Sequence, residues 1–321
     1  MNTQKPIASV SLDLDNKWSY LKIHGDAGWD TFPSYLDIVV PRVLDILAIR
    51  HLSFTVFVVG QDAALDKNQD LLRALATAGH EIGNHSFHHE SWMHLYSEQQ
   101  IKEEITRSGE QIERTTGQRP RGFRGPGFSV SAAILRALAT QGYFYDASTF
   151  PTFLGPLARA YYFMTTQLTA EEKQKRKALF GHFRDGLRSL KPYWWHLPTG
   201  DLIEIPVTTL PGIKVPIHVS YILYLSAISS NWALRYFRAA MSLCRVTGTP
   251  LSLLFHPLDF LGCEDVSDLS FFPAMGLPRE KKLAVVNAVL DMVSSQFRLL
   301  PVGEHAQIVS QDARLPLVSS Y

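Results

Sequence analysis

Short β-branched and aromatic runs alternate along this chain with stretches of helical period, and the alternation persists almost to the end. The strand candidates are residues 8–14 (ASVSLDL), 54–60, 80–85, 122–125, 143–148, 201–208, 251–256 and 297–302. The intervening helices carry their own punctuation. Ser97 with Gln100 forms a capping box, Ile101, Ile105 and Ile112 make one apolar stripe, and Gly117 stops that helix. Leu71, Leu72, Leu75 and Ala78 stripe another, ended by Gly79, and Ile134, Leu135 and Leu138 a third, ended by Gly142. Pro278 suits the first position of the last long helix.

Strand–helix units repeated about eight times predict a parallel sheet covered by helices. No sequence repeat accompanies them. At this number the expectation is an α/β fold of the distorted (β/α) barrel type, TIM-like, with seven or eight strands. No glycine fingerprint for a dinucleotide follows the first strand, which weighs against an open doubly wound sheet. Residues 151–200 break the rhythm with an aromatic and basic run, predicting an insertion or lid inside a single domain that spans 1–321.

Composition narrows the class further. In 321 residues, 46% are apolar and 19% charged, which suits a large core and excludes a disordered tail protein. Thirty-one Lys plus Arg against thirty Asp plus Glu leave a charge of +1, which argues against nucleic acid as a partner. Cys244 and Cys263 are too few for a disulfide framework and read as small apolar core residues in a reducing compartment. The start MNTQKP passes at once into the first strand, without the pattern of a secretory signal. The longest apolar stretch, 215–229, is interrupted by His218, Ser220 and Ser226 and falls short of a membrane span. The expectation is a soluble, cytoplasmic protein.

In a barrel of this kind chemistry sits at the carboxyl ends of the strands. The first strand ends in Asp13 and Asp15, which period-two alternation puts on one face, opposite Leu12 and Leu14. Two like charges there make sense around a cation with a group to deprotonate, although Asp-Asn after a strand also reads as a turn. The third strand ends in His85, with His89 four residues on, so one helical turn would set both rings on one face at chelating distance; His88 is a rival partner, and a polar loop the plainer reading. His94 is expected at the surface. After the fourth strand, Arg124 precedes a Gly-Pro-Gly turn able to bring backbone N–H groups to an oxyanion, and Arg124 itself can pair with a carboxylate; a solvated loop arginine is the alternative. The seventh strand ends in His256, a catalytic or a structural histidine.

Asp-x-Asp (Asp13, Asp15), His-Ser-x-x-His (His85 to His89), Arg-x-Pro (Arg124 to Pro126) and Leu-x-His (Leu254 to His256) together resemble the motifs of the polysaccharide deacetylase (NodB-homology) family. The resemblance runs from about residue 8 to 150 and again from about 200 to 260. It implies a distorted (β/α) barrel that hydrolyses N-acetyl groups on sugars with a divalent metal. By position it implies Asp13 as catalytic base, Asp15, His85 and His89 as metal ligands, and Arg124 as the residue orienting the base. It further implies the Gly127 N–H as oxyanion donor, His256 as general acid, and Asp146 as the residue tuning that acid, with Asp259 behind it. Leu14 stands between aspartates that are adjacent in the common form of the motif, Asn16-Lys17 replaces Gly-Pro, and Phe128 replaces a glycine, which marks a divergent branch.

Zinc is the default cation, and the same donors accept cobalt, nickel, manganese or iron. The implied reaction is N-deacetylation, or N-deformylation, of an amino sugar, polysaccharide or glycolipid precursor. Two other readings stand beside it: a non-catalytic sugar-binding barrel, and a non-haem iron oxygenase using the same ligand set. Tyr161, Tyr162, Phe163, Trp194 and Trp195 among Lys173, Lys175, Arg176 and Lys177 suit either a solvated lid or a peripheral membrane contact that would present a lipid-linked sugar. Segment 215–243, with His218, Tyr221, Trp232 and Arg235, is expected over the same mouth. The oligomeric state has no signature in the sequence.

Overall fold

The computed structural model describes residues 5–155 and 183–319. Its strands are β1 (Ile7–Leu14), β2 (Thr55–Val58), β3 (Glu81–Asn84), β4 (Gly122–Phe123), β5 (Tyr145–Asp146), β6 (Tyr193–His196), β7 (Leu202–Glu204), β8 (Leu251–Phe255), β9 (Arg298–Leu300) and β10 (Leu317–Ser319). They form one sheet in the order β10-β6-β7-β5-β4-β3-β2-β1-β8, with β9 beside β1. All pairings are parallel except β6 with β7. The helices are α1 (Lys17–His24), α2 (Leu36–Ala48), α3 (Gly60–Ala64), α4 (Asp66–Thr77), α5 (Glu98–Thr116), α6 (Ala132–Thr140), α7 (Val219–Ile228), α8 (Ser230–Thr247), α9 (Arg279–Gln296) and α10 (Val302–Val309). The α5 capping box at Ser97 and Gln100 forms as its sequence predicts, and Gly117 ends the helix in the left-handed conformation.

The eight expected strands are all present, mostly shortened. Seven of them, β1 to β5 with β7 and β8, make the barrel wall. The wall is not a closed ladder. Past β7 the chain runs on beside β5, through Ile205 N–H to the Asp146 carbonyl (2.9 Å) and Val207 N–H to the Thr149 carbonyl (2.9 Å). It then reaches β8 by one backbone bond, Thr208 N–H to the Ser252 carbonyl (3.0 Å). The TIM-like expectation therefore holds in its distorted form, with a seam between β7 and β8. The eighth candidate is not a stave. β9 lies against the amino end of β1 (Ile7 opposite Arg298), and α10 follows it as a plug under the barrel, where Val302 and Ala306 pack with Phe57, Tyr145 and Ile203.

Polarity along β1 explains both layers. Ala8, Val10, Leu12 and Leu14 are buried outward in the main core with α2, α8 and α9, each large side chain contributing about 1.5–3 kcal/mol. The alternate residues face inward and are polar: Ser9 meets His305, while Ser11 and Asp13 meet Arg124. A barrel interior lined this way can hold charge only if each charge is paired.

Three expectations need correcting. Trp194 and Trp195 are strand residues of β6 rather than lid surface, and Trp195 is buried with Tyr193 against it. Strand β6 went unseen because its aromatic run sits inside a stretch that reads as an insertion; the remaining named residues of that stretch, Tyr161 to Lys177, lie outside the described residues. Cys244 is a buried core residue as expected, but Cys263 is exposed. His94 is half-buried, with its backbone N–H and ring Nδ1 both 2.9 Å from Ser129 Oγ. Among the described residues, no helix is long and apolar enough to cross a membrane.

Candidate metal centre and active site

Register brings the functional residues to one level. Leu14 lies opposite Val58, Val58 opposite Asn84, Asn84 opposite Phe123, Phe123 opposite Asp146, and Asp146 opposite Glu204. The next residue of each strand, among them Asp15, His85 and Arg124, therefore emerges on the same rim. His256 follows Phe255, which lies opposite Leu12, and so stands near Asp13.

Asp15, His85 and His89 converge. They offer ligand atoms that all lie within 4.8 Å of one another, and all three side chains are buried. His89 Nε2 is 2.9 Å and His85 Nε2 3.3 Å from Asp15 Oδ1. Asp15 Oδ1 and both His89 nitrogens nevertheless lack a hydrogen-bond partner. Buried lone pairs crowded together without hydrogen bonds are costly unless a cation takes them up, so the donor set fits a divalent metal. His85 Nδ1 lies 2.6 Å from the Arg124 carbonyl, an acceptor, which leaves Nε2 free to ligate. Burial pushes the Asp15 carboxyl up, but the His89 and His85 rings more than offset this and hold it well below its usual range.

The ligand loop is not the helical turn expected of an i, i+4 pair. Ser86 (φ 61°) and His89 (φ 54°) are left-handed, and residues 85–90 form no helix. Glu104 of α5 shapes the loop by accepting the N–H groups of Phe87 and His88, each at 3.0 Å, and its other oxygen pairs with His88 Nδ1. His88 thus turns outward to Glu104 and takes no part in the cluster.

Asn16, which stands where the common motif has glycine, secures the Asp15 segment. Its Oδ1 accepts from Lys17 N–H (2.8 Å) and Tyr35 N–H (3.2 Å), and its Nδ2 donates to Ser34 Oγ (3.0 Å) and Asp62 Oδ1 (2.7 Å). Asp62 Oδ1 also accepts from Trp18 Nε1 and Asn68 Nδ2. Tyr35 donates to the Asp15 carbonyl at 2.5 Å.

Asp13 belongs to a separate ion pair. Arg124 Nη1 donates to Asp13 Oδ1 (2.7 Å) and Ser11 Oγ (2.8 Å), Nε donates to the Ala147 carbonyl (2.9 Å), and the guanidinium lies 4.4 Å over the Phe57 ring. Arg124 is wholly buried. Gly125 to Phe128 form the tight turn that follows, with Gly127 exposed and left-handed (φ 57°).

His256 has the partners Ser220 and Asp259. Its Nδ1 is 3.0 Å from Ser220 Oγ, and its backbone N–H donates to Asp259 Oδ2 at 2.8 Å. Asp146 is not among them, which corrects the expectation that it tunes this histidine. It accepts from Ser148 Oγ (2.6 Å) and faces Glu204, which in turn accepts from Thr149 N–H (2.9 Å) and Trp195 Nε1 (2.8 Å). Burial, then repulsion from Asp146, pushes Glu204 well up, and burial raises Asp146 as well. Ser220 escaped the sequence reading because it lies 36 residues before His256 in an apolar helix with no motif around it. A cavity of about 110 Å³ opens between Asp15 and His256, walled by Tyr20, Leu223, Tyr224 and Phe272.

A distorted α/β barrel thus carries a buried Asp-His-His cluster able to hold a metal ion, beside an arginine-held aspartate. Residues 26–145 match the polysaccharide deacetylase family model; the match begins after Asp15 and ends before His256. Among curated relatives, the chain is 34% identical over 100 residues to the uncharacterised protein YlxY of Bacillus subtilis, covering 31% of this chain and 30% of that one. It is 28% identical over 112 residues to the peptidoglycan deacetylase of Helicobacter pylori, covering 35% of this chain and 37% of that one. The chain thus spans about a third of the length of these relatives. A solved structure described as a putative polysaccharide deacetylase from Mycobacterium smegmatis superposes over 100% of this chain and 95% of its own, with a TM-score of 0.64 and 20% identity, and shares the fold.

Proposed function

We propose that this protein hydrolyses the N-acetyl amide of an amino sugar within a polysaccharide or its precursor, using a divalent metal held by Asp15, His85 and His89. The observation that carries this reading is the juxtaposition of that cluster with Asp13, a carboxylate held by Arg124 and committed to no ligand role. A divalent cation held by Asp15, His85 and His89, zinc by preference, would supply Lewis-acid polarisation of the acyl group and a more acidic water. Asp13 takes the proton of the attacking water, and its pairing with Arg124 keeps it oriented. The Gly127 N–H, exposed on its turn, stabilises the developing oxyanion. His256 gives a proton to the departing amine.

The relatives named peptidoglycan deacetylases support an N-acetylated glycan as substrate; formyl in place of acetyl, and a lipid-linked sugar met at the inner face of the membrane, are narrower versions of the same proposal. Two unpaired cysteines accord with a cytoplasmic location. The test is metal analysis of the purified chain, followed by acetate release from N-acetylchitooligosaccharides and peptidoglycan fragments. Asp13→Asn should keep the metal and lose turnover by about 10²–10⁴-fold, and Asp15→Ala should lose the metal. Turnover at the wild-type rate in Asp13→Asn removes the base from its role. Oxygen uptake with iron and no acetate release would instead favour the oxygenase reading.

A further inference from the structure

We infer that the corner between α7 and α8, with the outer face of α8, docks on an anionic lipid surface. The residues concerned lie outside the metal centre and take no part in the chemistry proposed for it.

Ser229 caps the end of α7 and the start of α8, so the chain turns sharply there, with a large apolar side chain on either side of the bend. Ile228 is 88% exposed and Trp232 71%. The inner side of α8 is already employed, since Ala233, Phe237, Ala240, Met241 and Cys244 sit in the main core. At about 3.6 residues per turn, Trp232, Leu243 and Val246 fall on a second ridge turned away from that core stripe, and all three are exposed. Arg235, Arg238 and Arg245, exposed as well, flank this ridge on one side. Among the described residues none of these arginines has a carboxylate partner; Arg238 approaches Met292 Sδ (3.9 Å) and Arg245 the Gln296 side chain (3.4 Å).

Charge selects the occupant. From Ile205 to Leu258 the chain carries no Asp or Glu, while Lys214, Arg235, Arg238 and Arg245 fall within that span. On α9, which packs beside α8, Asp291 is taken by Arg50 (2.9 Å), and Glu280 lies about three turns before the Met292 that neighbours Arg238. An exposed apolar ridge beside unpaired arginines is the pattern of a helix lying in a headgroup region, where Trp and Ile enter the acyl boundary and guanidiniums meet phosphates. A second copy of this chain, paired face to face, would set arginines against arginines instead. Leu223 and Tyr224 of α7 wall the cavity at His256, and Ile228 is four residues beyond Tyr224, about 6 Å along the helix. A docked corner therefore brings that cavity close to the lipid headgroups.

Vesicle flotation of the full chain tests this without substrate. The protein should float with vesicles of equal parts phosphatidylcholine and phosphatidylglycerol, stay behind with phosphatidylcholine alone, and be released as salt is raised. Arg235→Gln with Arg238→Gln should weaken binding about thirtyfold, and Ile228→Ser with Trp232→Ala about tenfold or more. Both double variants should release acetate from soluble N-acetylchitopentaose at the wild-type rate. No flotation on the anionic vesicles, or flotation that neither double variant weakens, overturns the inference. So does a wild-type dimer in sedimentation that Ile228→Ser with Trp232→Ala dissociates, because the corner then covers a second copy. A wild-type chain that floats but releases no acetate counts against the hydrolase reading alone, since flotation needs no turnover.

Discussion

Arg124 shows how a single residue can serve chemistry and fold together. Its guanidinium is buried against Phe57, its carbonyl orients His85, and its charge is balanced by Asp13. Removing either partner would leave an uncompensated buried ion, typically a loss of about 3–5 kcal/mol, so folding must be checked beside any Asp13 variant. Asp62 presents a different case. Burial raises it to about 7 from 3.8. Its contribution to stability is fully present below pH 3.8 and is lost as the pH rises to about 7, because the unfolded chain releases the proton first. The slope is about 1.4 kcal/mol per pH unit. Asp62→Asn, which keeps the acceptor for Asn16, Trp18 and Asn68, should flatten this dependence in urea unfolding at pH 5 and pH 7.5. An equal slope in wild type and variant would contradict it.

At the scale of elements, β1 was legible nearly to the residue because its pattern is unbroken: apolar to the helices, serine and aspartate to the interior. The end of β8 was legible for a related reason, since it closes a short apolar run. The path of the loop between His85 and His89 was not, because it depends on Glu104 capturing two N–H groups from a helix remote in sequence. Neither was the partnership of His256 with Ser220, made across two elements without a shared motif. The turn after β4 is the most constrained of these elements. A Cβ on Gly125 would come within 2.1 Å of the Ser129 carbonyl oxygen. Gly125→Ala should therefore displace the Gly127 N–H, lowering stability by about 1–3 kcal/mol and turnover with it, while metal content is retained. Unchanged turnover in a folded Gly125→Ala protein would remove this turn from the site.

For the whole molecule, the proposed metal ligands come from two separate strand ends that meet only in the folded barrel. Binding of the cation is then folding free energy, and a hundredfold excess of zinc over its Kd should add about 2.7 kcal/mol to stability. Thermal unfolding with and without chelator measures this, and Asp15→Ala should abolish the difference. A chelator-insensitive midpoint in wild-type protein of measured zinc content would show the ion to be elsewhere.

Thr208 meets β8 through its N–H to the Ser252 carbonyl (3.0 Å), through its Oγ1, which accepts the Ser252 N–H (2.7 Å), and through its hydroxyl to the Pro250 carbonyl (3.1 Å), which has a consequence for how the barrel is shut. The wall is latched there by the main chain and hydroxyl of a single threonine, while Asp15, His85 and Arg124 follow strands of the unbroken β1–β5 ladder.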